Sequence, residues 1–186
     1  METSCTSERL LLTTLTPASG LQLLHFYNKN RSHFEPWEPD RVPGFYSLQF
    51  QKLTLGMEQQ LMAKNRSFRL WIFLKEDPTT IIGSVNFYNI VFEPYNQSQI
   101  GYKLDKSYLG KGYAHEAVAA AMKLFFTNFP QIHRIEASIM PSNMPSLKLI
   151  HKLGYVYEGT AKSSIRINRK WEDHHKYVFL NMHSDQ

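Results

Sequence analysis

The sequence predicts a single α/β (α+β) domain, one sheet with helices on both of its faces. Two observations carry this reading. Short β-branched and aromatic runs interleave with stretches of helical apolar spacing, in the order strand, two helices, three strands, helix, strand, helix, two strands. The 186 residues also contain no repeat, low-complexity tract or linker-like shift, so one domain over residues 8–182 behind a loose leader, 1–7, is the economical division. A composition of 42% hydrophobic, 13% aromatic and 20% charged residues is that of a packed core and argues against disorder.

In chain order, "ERLLLTTL" is short and apolar and fits a first strand. Thr16 and Pro17 then read as the cap and first position of a helix running through "ASGLQLLHFYNKN". "HFEPWEPDRVPG", with three prolines, is an ordered loop or turn. Leu48, Leu55 and Leu61 give "FYSLQFQKLTLGMEQQLMA" helical spacing. "FRLWIFLK", "TIIGSVNFYNIV" and "QSQIGYKLD" are three strands, the first two joined by a turn at "EDPTT". Ala114, Ala117, Val118, Ala121, Leu124 and Phe125 line one face of a third helix. "HRIEASIM" returns to strand character, and "PSNMPSLKLIHKLGY" is a shorter helix closed by Gly154. Two strands near residues 155–160 and 174–180 end the chain.

No basic, then apolar N-terminal segment and no 18-residue apolar run occur, and the one cysteine, Cys5, has no internal partner. These features predict a soluble cytoplasmic protein with no membrane association. The excess of 21 Lys and Arg over 16 Asp and Glu, net +5, favours an anionic ligand at long range, although many small soluble proteins are simply basic. No basic run or RNP-like aromatic motif supports a specific nucleic-acid partner.

The most informative stretch is "SYLGKGYAHEAVAAAMKLF". Glycine admits unusual backbone angles and lets the main chain approach a ligand, and a helix N-terminus presents unpaired amides and partial positive charge. A glycine turn entering a helix is therefore a ready phosphate site, although glycines are common in turns before helices for purely structural reasons. Two known phosphate loops are absent: Gly112 and Tyr113 follow Lys111 where GxxxxGK[ST] is needed, and His115 stands where GxGxxG requires glycine.

Downstream company gives the turn a meaning. The window Ser107 to Gly112, entering a helix after a strand, resembles the Q/R-x-x-G-x-G/A signature of the GNAT superfamily of acetyl-CoA-dependent N-acetyltransferases, with Ser107 replacing the usual Gln or Arg. "GKGYAHEA", "HRIEASIMPSNMPSLKLIHKLGYVYEG", "SERLLLTTLT" and "HFEPWEP" are similar to the RimJ and RimL branch, which acetylates the N-termini of ribosomal proteins. The likeness spans roughly residues 8–180.

The resemblance implies a mostly antiparallel twisted sheet of about seven strands, with a splayed strand pair holding the coenzyme. It also implies acetyl-CoA as acetyl donor and no metal. Tyr102, Lys103 and Leu104 would pair through the main chain with the pantetheine arm. Leu109, Gly110, Lys111, Gly112, Tyr113 and Ala114 would cradle the pyrophosphate, with Lys111 either adding charge or merely solvated. Asn143 would touch the coenzyme, or cap a helix, or both. Ser146 would lie near the thioester sulfur as proton donor to the thiolate, a tyrosine being the alternative. Glu158, in "GYVYEG", sits where RimL-type enzymes carry a glutamate assigned as general base; its other reading is a solvated edge-strand carboxylate. Glu35, Trp37 and Glu38 would border the acceptor groove, the carboxylates holding a cationic peptide N-terminus, unless prolines simply lock Trp37 onto the second helix. Asn86 and Asn89 would hydrogen-bond the peptide.

The chemistry favours an α-amine. At pH 7 an α-amino group is roughly a tenth neutral, a lysine only about a few parts in ten thousand. The expected partner besides acetyl-CoA is thus a protein or peptide N-terminus, plausibly ribosomal; a polyamine, amino acid or antibiotic is the rival acceptor, and a non-catalytic coenzyme-binding module the rival class. A monomer and a homodimer are both compatible with the sequence. "EDHHK" (Glu172, Asp173, His174, His175) tempts a metal reading, but adjacent strand residues face opposite ways. A hydrolase triad on Ser146 lacks the G-x-S-x-G elbow.

Overall fold

The computed structural model describes residues 1–182. Eight strands form one sheet: β1 (Ser4–Thr6), β2 (Leu10–Thr13), β3 (Ser67–Leu74), β4 (Gly83–Val91), β5 (Gln97–Leu104), β6 (Arg134–Ile139), β7 (Val156–Ile167) and β8 (Lys170–Leu180). Its spatial order is β1-β2-β3-β4-β5-β6-β8-β7, with every neighbouring pair antiparallel except β5 and β6. Helices α1 (Gly20–Lys29), α2 (Arg31–Phe34) and α3 (Leu48–Ala63) precede β3, α4 (Tyr113–Asn128) joins β5 to β6, and α5 (Met144–Lys152) joins β6 to β7.

The sheet separates two apolar layers. On one face α4 buries the alanine, valine and phenylalanine stripe that its spacing predicts, with Met122 added, against Phe68, Val85 and Phe87. Phe125 stacks on Phe87 with ring centroids 4.0 Å apart; each fully buried phenylalanine contributes about 1.5–3 kcal/mol. On the other face α1 and α3 bring Phe26, Tyr27 and Leu55 against Trp71 and Phe73 of β3.

Three sequence expectations need correction. The leader is not loose throughout: Ser4, Cys5 and Thr6 pair with Thr13, Leu12 and Leu11, and the Glu2 amide donates to the Asn128 side chain at 2.8 Å. Three residues, two of them polar, carry too short an alternation to register as a strand. On α3 only Leu55 of the leucine stripe is buried, while Leu48 and Leu61 are 38% and 42% exposed; Leu61 follows Leu55 by six residues, which turns it well off the buried face at 3.6 residues per turn. The last two strands are much longer than 155–160 and 174–180. They meet at Asn168 and Arg169, whose φ values of 47° and 64° make the tight two-residue link that a hairpin's twist favours.

Elsewhere local chemistry acts as the sequence implies. Asp77 accepts from the amides of Thr79 and Thr80 and turns β3 into β4. The Pro-rich loop opens with α2 and a 3-10 turn at Glu35–Trp37 before its proline bends. No helix among the described residues is long and apolar enough to cross a membrane.

Candidate active site

The site begins with a strand pair that parts. β5 and β6 are in register only from Gln97↔Arg134 to Ile100↔Ala137. Beyond that point β5 continues to Leu104 and β6 to Ile139 without pairing to each other. The edge of β5 facing β6, residues 101–104, therefore offers main-chain donors and acceptors at which an extended amide-bearing ligand can add as a further strand.

At the mouth of this gap lies the glycine turn. Gly110 and Gly112 adopt φ of +74° and +82°, a region that side chains disfavour, and a Cβ built on Gly110 would meet nothing within 4 Å. Gly112 is the N-cap of α4, whose first amides have no partner in the preceding turn. The open space, the left-handed backbone and the helix N-terminus together give this turn the geometry of an anion site.

Sequence reasoning missed what holds this turn in place. Glu116, in the first turn of α4, accepts from the Arg9 amide at 2.7 Å, the Arg9 guanidinium at 2.8 Å and the Ser7 hydroxyl at 2.7 Å. Arg9 in turn donates to the Lys111 carbonyl at 3.0 Å and lies over the Tyr113 ring. Partial burial pushes the Glu116 carboxyl up, but these donors outweigh it, leaving the group below its ordinary range. Contacts across more than 100 residues leave no local pattern to find.

On the α4 and α5 side of the gap, Asn143 caps α5 by accepting from the Ser146 amide at 3.3 Å. The capping reading of Asn143 thus holds. The Tyr102 hydroxyl donates to the Ser146 carbonyl at 3.3 Å, tying β5 to α5 across the gap. Burial raises the Tyr102 phenol to about 12, against a smaller opposing effect of the Ser146 contact.

The opposite face of β5, β6 and β8 is polar. Arg134, Glu136 and Ser138 alternate with the buried Ile135, Ala137 and Ile139. Glu158, at a bulge in β7, lies over this face and makes a two-pronged ion pair with Arg134, which also donates to Glu136 at 2.8 Å. The hydrogen bonds from Arg134 hold the Glu158 carboxyl below the ordinary carboxylate range. Glu158 is therefore an exposed carboxylate on the edge strand β7, as its other reading has it, but one paired with Arg134.

The residues expected to border the acceptor, Glu35 and Glu38, fall near the same face with their charges already committed to cations of the chain. Lys103, whose main chain is the part expected to meet the coenzyme, directs its side chain away from the α4 side to pair with Glu38, which Arg41 also grips. Glu38 thus neutralises two of the chain's own cations. Burial pushes the Lys103 ammonium down to about 8, with the neighbouring Arg69 and Arg41 adding to that shift and Tyr27 opposing it. Glu35 accepts from Arg31 at 2.8 Å and from the Tyr46 hydroxyl at 3.0 Å. Trp37 is 38% exposed and belongs to neither buried layer, so it is not locked into the core. Asn86 accepts from Ser67 at 3.0 Å, whereas Asn89, at φ 51°, is exposed and donates to Gln99 at 3.0 Å. A cavity of ≈ 530 Å³ opens beside this loop, lined among others by Glu35, Glu38, Asp40, Arg41 and Tyr46, with Arg169 of the β7–β8 hairpin at its rim.

His174 and His175 do face opposite ways. His174 is buried near Ser164, while His175 meets Thr160 at 2.8 Å. Among the described residues no group of three or more His, Cys, Asp or Glu is placed to hold a metal ion.

With this geometry established, comparison with known proteins is informative. Residues 9–156 match the family model of the acetyltransferase (GNAT) domain. The chain is 32% identical to a probable N-acetyltransferase, YjcK, of Bacillus subtilis, over 88% of this chain and 89% of the relative. It is also 32% identical to the [ribosomal protein uS5]-alanine N-acetyltransferase of Escherichia coli, over 91% of this chain and 86% of the relative. The structure of the ribosomal-protein-S5-alanine acetyltransferase from Vibrio fischeri superposes with a TM-score of 0.91 at 31% identity, covering 97% of this chain and 98% of that one. RimJ of Mycobacterium smegmatis, solved with CoA-disulfide, shares the fold with a TM-score of 0.89 at 22% identity, covering 100% and 90%.

Proposed function

The chain belongs to the GNAT acetyltransferase family, on its RimJ/RimL-like branch, and we propose that this N-acetyltransferase moves the acetyl group of acetyl-CoA onto the N-terminal α-amine of a protein, a ribosomal protein being the preferred acceptor. The observation that carries the reading is the parting of β5 and β6 beside a glycine turn that enters a helix. One side of that gap suits a long amide-bearing thiol with a diphosphate, and the other is a polar face within reach of a protein chain end.

Acetyl-CoA supplies an activated thioester carbonyl. The chain's residues then have five tasks. The amides of Leu109, Gly110, Lys111, Gly112, Tyr113 and Ala114 hold the diphosphate, and the main chain of Tyr102, Lys103 and Leu104 holds the pantetheine amides. A main-chain amide of residues 102–104 stabilises charge developing on the carbonyl oxygen. Glu158, directly or through one water, takes the proton of the incoming amine. Ser146 returns a proton to the departing thiolate, with Asn143 fixing the helix turn that carries it.

The pairing of Glu158 with Arg134 fits an α-amine. A carboxylate held below its ordinary range is a weak base, adequate for an amine that is already roughly a tenth neutral at pH 7 and poorly matched to a lysine side chain. Glu35, Trp37, Glu38, Asn86 and Asn89 frame the approach of the acceptor, with the ion-paired carboxylates shaping the loop. Mass spectrometry of cellular protein N-termini with and without the enzyme tests the assignment: one or a few newly acetylated N-termini are expected, and an unchanged N-terminal acetylome overturns it.

A further inference from the structure

The polar face of the sheet carries several cations, and most are answered by carboxylates. Arg134 is held by Glu136 and Glu158, Lys103 by Glu38, and Arg41 by Glu38. Lys176 differs. Its ammonium donates to the Ser138 hydroxyl at 2.7 Å, a neutral partner, and it makes no ion pair with a described residue.

Its position matters as much as its charge. Ser138 is the first residue of β6 beyond Ala137, the last to pair with β5, so it stands where the two strands begin to part. Lys176 lies directly opposite Ser138 on β8 and shares its face, the one away from α4 and α5. The Ser138 hydroxyl thus steadies a full positive charge at the vertex of the gap, on the side from which an acceptor arrives. Half-burial of both residues keeps that charge from being fully screened.

Resting on the acetyl-transfer reading, we propose that Lys176, steadied by Ser138, selects acceptors that carry a carboxylate close to the reacting α-amine. Two sources share this chemistry: a peptide whose first or second residue is acidic, and a free amino acid. A cationic neighbour of the amine is rejected by like charge. Arg134 does not fill this role because its forks are occupied, and Lys103 does not because Glu38 neutralises it.

The test measures kcat/KM by thiol release on peptides that begin Ala-Glu, Ala-Gln and Ala-Lys, and on free glutamate. The wild type is expected to prefer Ala-Glu over Ala-Gln by about tenfold or more, the worth of one charge-assisted hydrogen bond. In Lys176→Met the ratio falls to about one, Lys176→Arg restores it, and Lys176→Glu moves the preference to Ala-Lys. Turnover of glutamate at a rate matching the Ala-Glu peptide identifies the amino acid as the source; peptide turnover alone identifies the chain end. Binding of coenzyme A to each variant by calorimetry reports folding, and if Lys176→Met does not fold, the Arg and Glu variants decide. A flat ratio in the wild type, or one unchanged in Lys176→Met, overturns the inference while turnover of the neutral peptide leaves the acetyl-transfer reading standing. No turnover of any peptide or of glutamate overturns both.

Discussion

Both terminal nitrogens of Arg134 close on the two carboxylate oxygens of Glu158, one at 2.9 Å, joining the first residue of β6 to a bulge of β7 across the intervening β8. The pair fixes the direction of the one carboxylate on this face that the branch resemblance casts as a base. Because the hydrogen bonds hold its proton affinity down, the charged, proton-accepting form persists to lower pH than an ordinary glutamate would allow. In Arg134→Gln that depression is lost and the acid limb of the pH profile of kcat/KM should move to higher pH. Glu158→Gln should lower kcat by about 10²–10⁴ at every pH. An acid limb that stays in place in Arg134→Gln removes Glu158 from the role of base.

Gly110→Ala and Gly112→Ala separate backbone strain from ligand space. Each forces a side chain into a left-handed conformation, at about 1–2 kcal/mol. At Gly112 the new methyl also meets the Arg9 guanidinium at 3.4 Å, whereas at Gly110 it enters open space. Gly110→Ala should therefore lose coenzyme affinity beyond what its small loss of stability explains. Calorimetric titration with coenzyme A, beside thermal unfolding of the same variants, checks this; equal losses in both measurements would point to simple unfolding.

Glu116 locks the turn by accepting from Arg9 and Ser7. Glu116→Gln keeps the shape and discards the charge, so unfolding stability should fall by about 1–3 kcal/mol at pH 7, with weaker binding of coenzyme A. The sign with pH follows from a carboxyl held below its ordinary value. Its contribution is full above the ordinary carboxylate range and fades as pH falls through the lowered value. Melting curves of wild type and variant should accordingly converge in acid, and parallel curves down to low pH would contradict the account.

Ser146 and Tyr102 meet across the gap but are expected to behave differently. Ser146→Ala should slow turnover by about 10²-fold if the hydroxyl serves the thiolate. Tyr102→Phe loses only the hydrogen bond to the Ser146 carbonyl, about 0.5–1.5 kcal/mol. Since the Tyr102 phenol titrates at about 12, it stays protonated throughout an ordinary assay, and its removal should leave the basic limb of the rate profile in place. A basic limb that disappears in Tyr102→Phe would make the tyrosine the proton donor.

The α4 stripe, the Asp77 turn, the Asn143 cap and the two glycines were all legible along the chain, because each is set by neighbours within a few residues. Period, capping and φ preference act over that distance. The resemblance to the Q/R-x-x-G-x-G/A signature likewise pointed to residues 109–114 as the candidate cradle. What tertiary structure alone decided is who answers each charge. Glu158 faces Arg134 across 24 positions, Lys103 faces Glu38 across 65, and Arg9 faces Glu116 across 107. The short β1, recruited by pairing with β2, and the exposure of Leu48 and Leu61 belong with these. A sequence carries the propensity of each segment, but an ion pair depends on which strands the fold sets side by side, and the same carboxylate is solvated, a base or a buttress according to the cation it meets there.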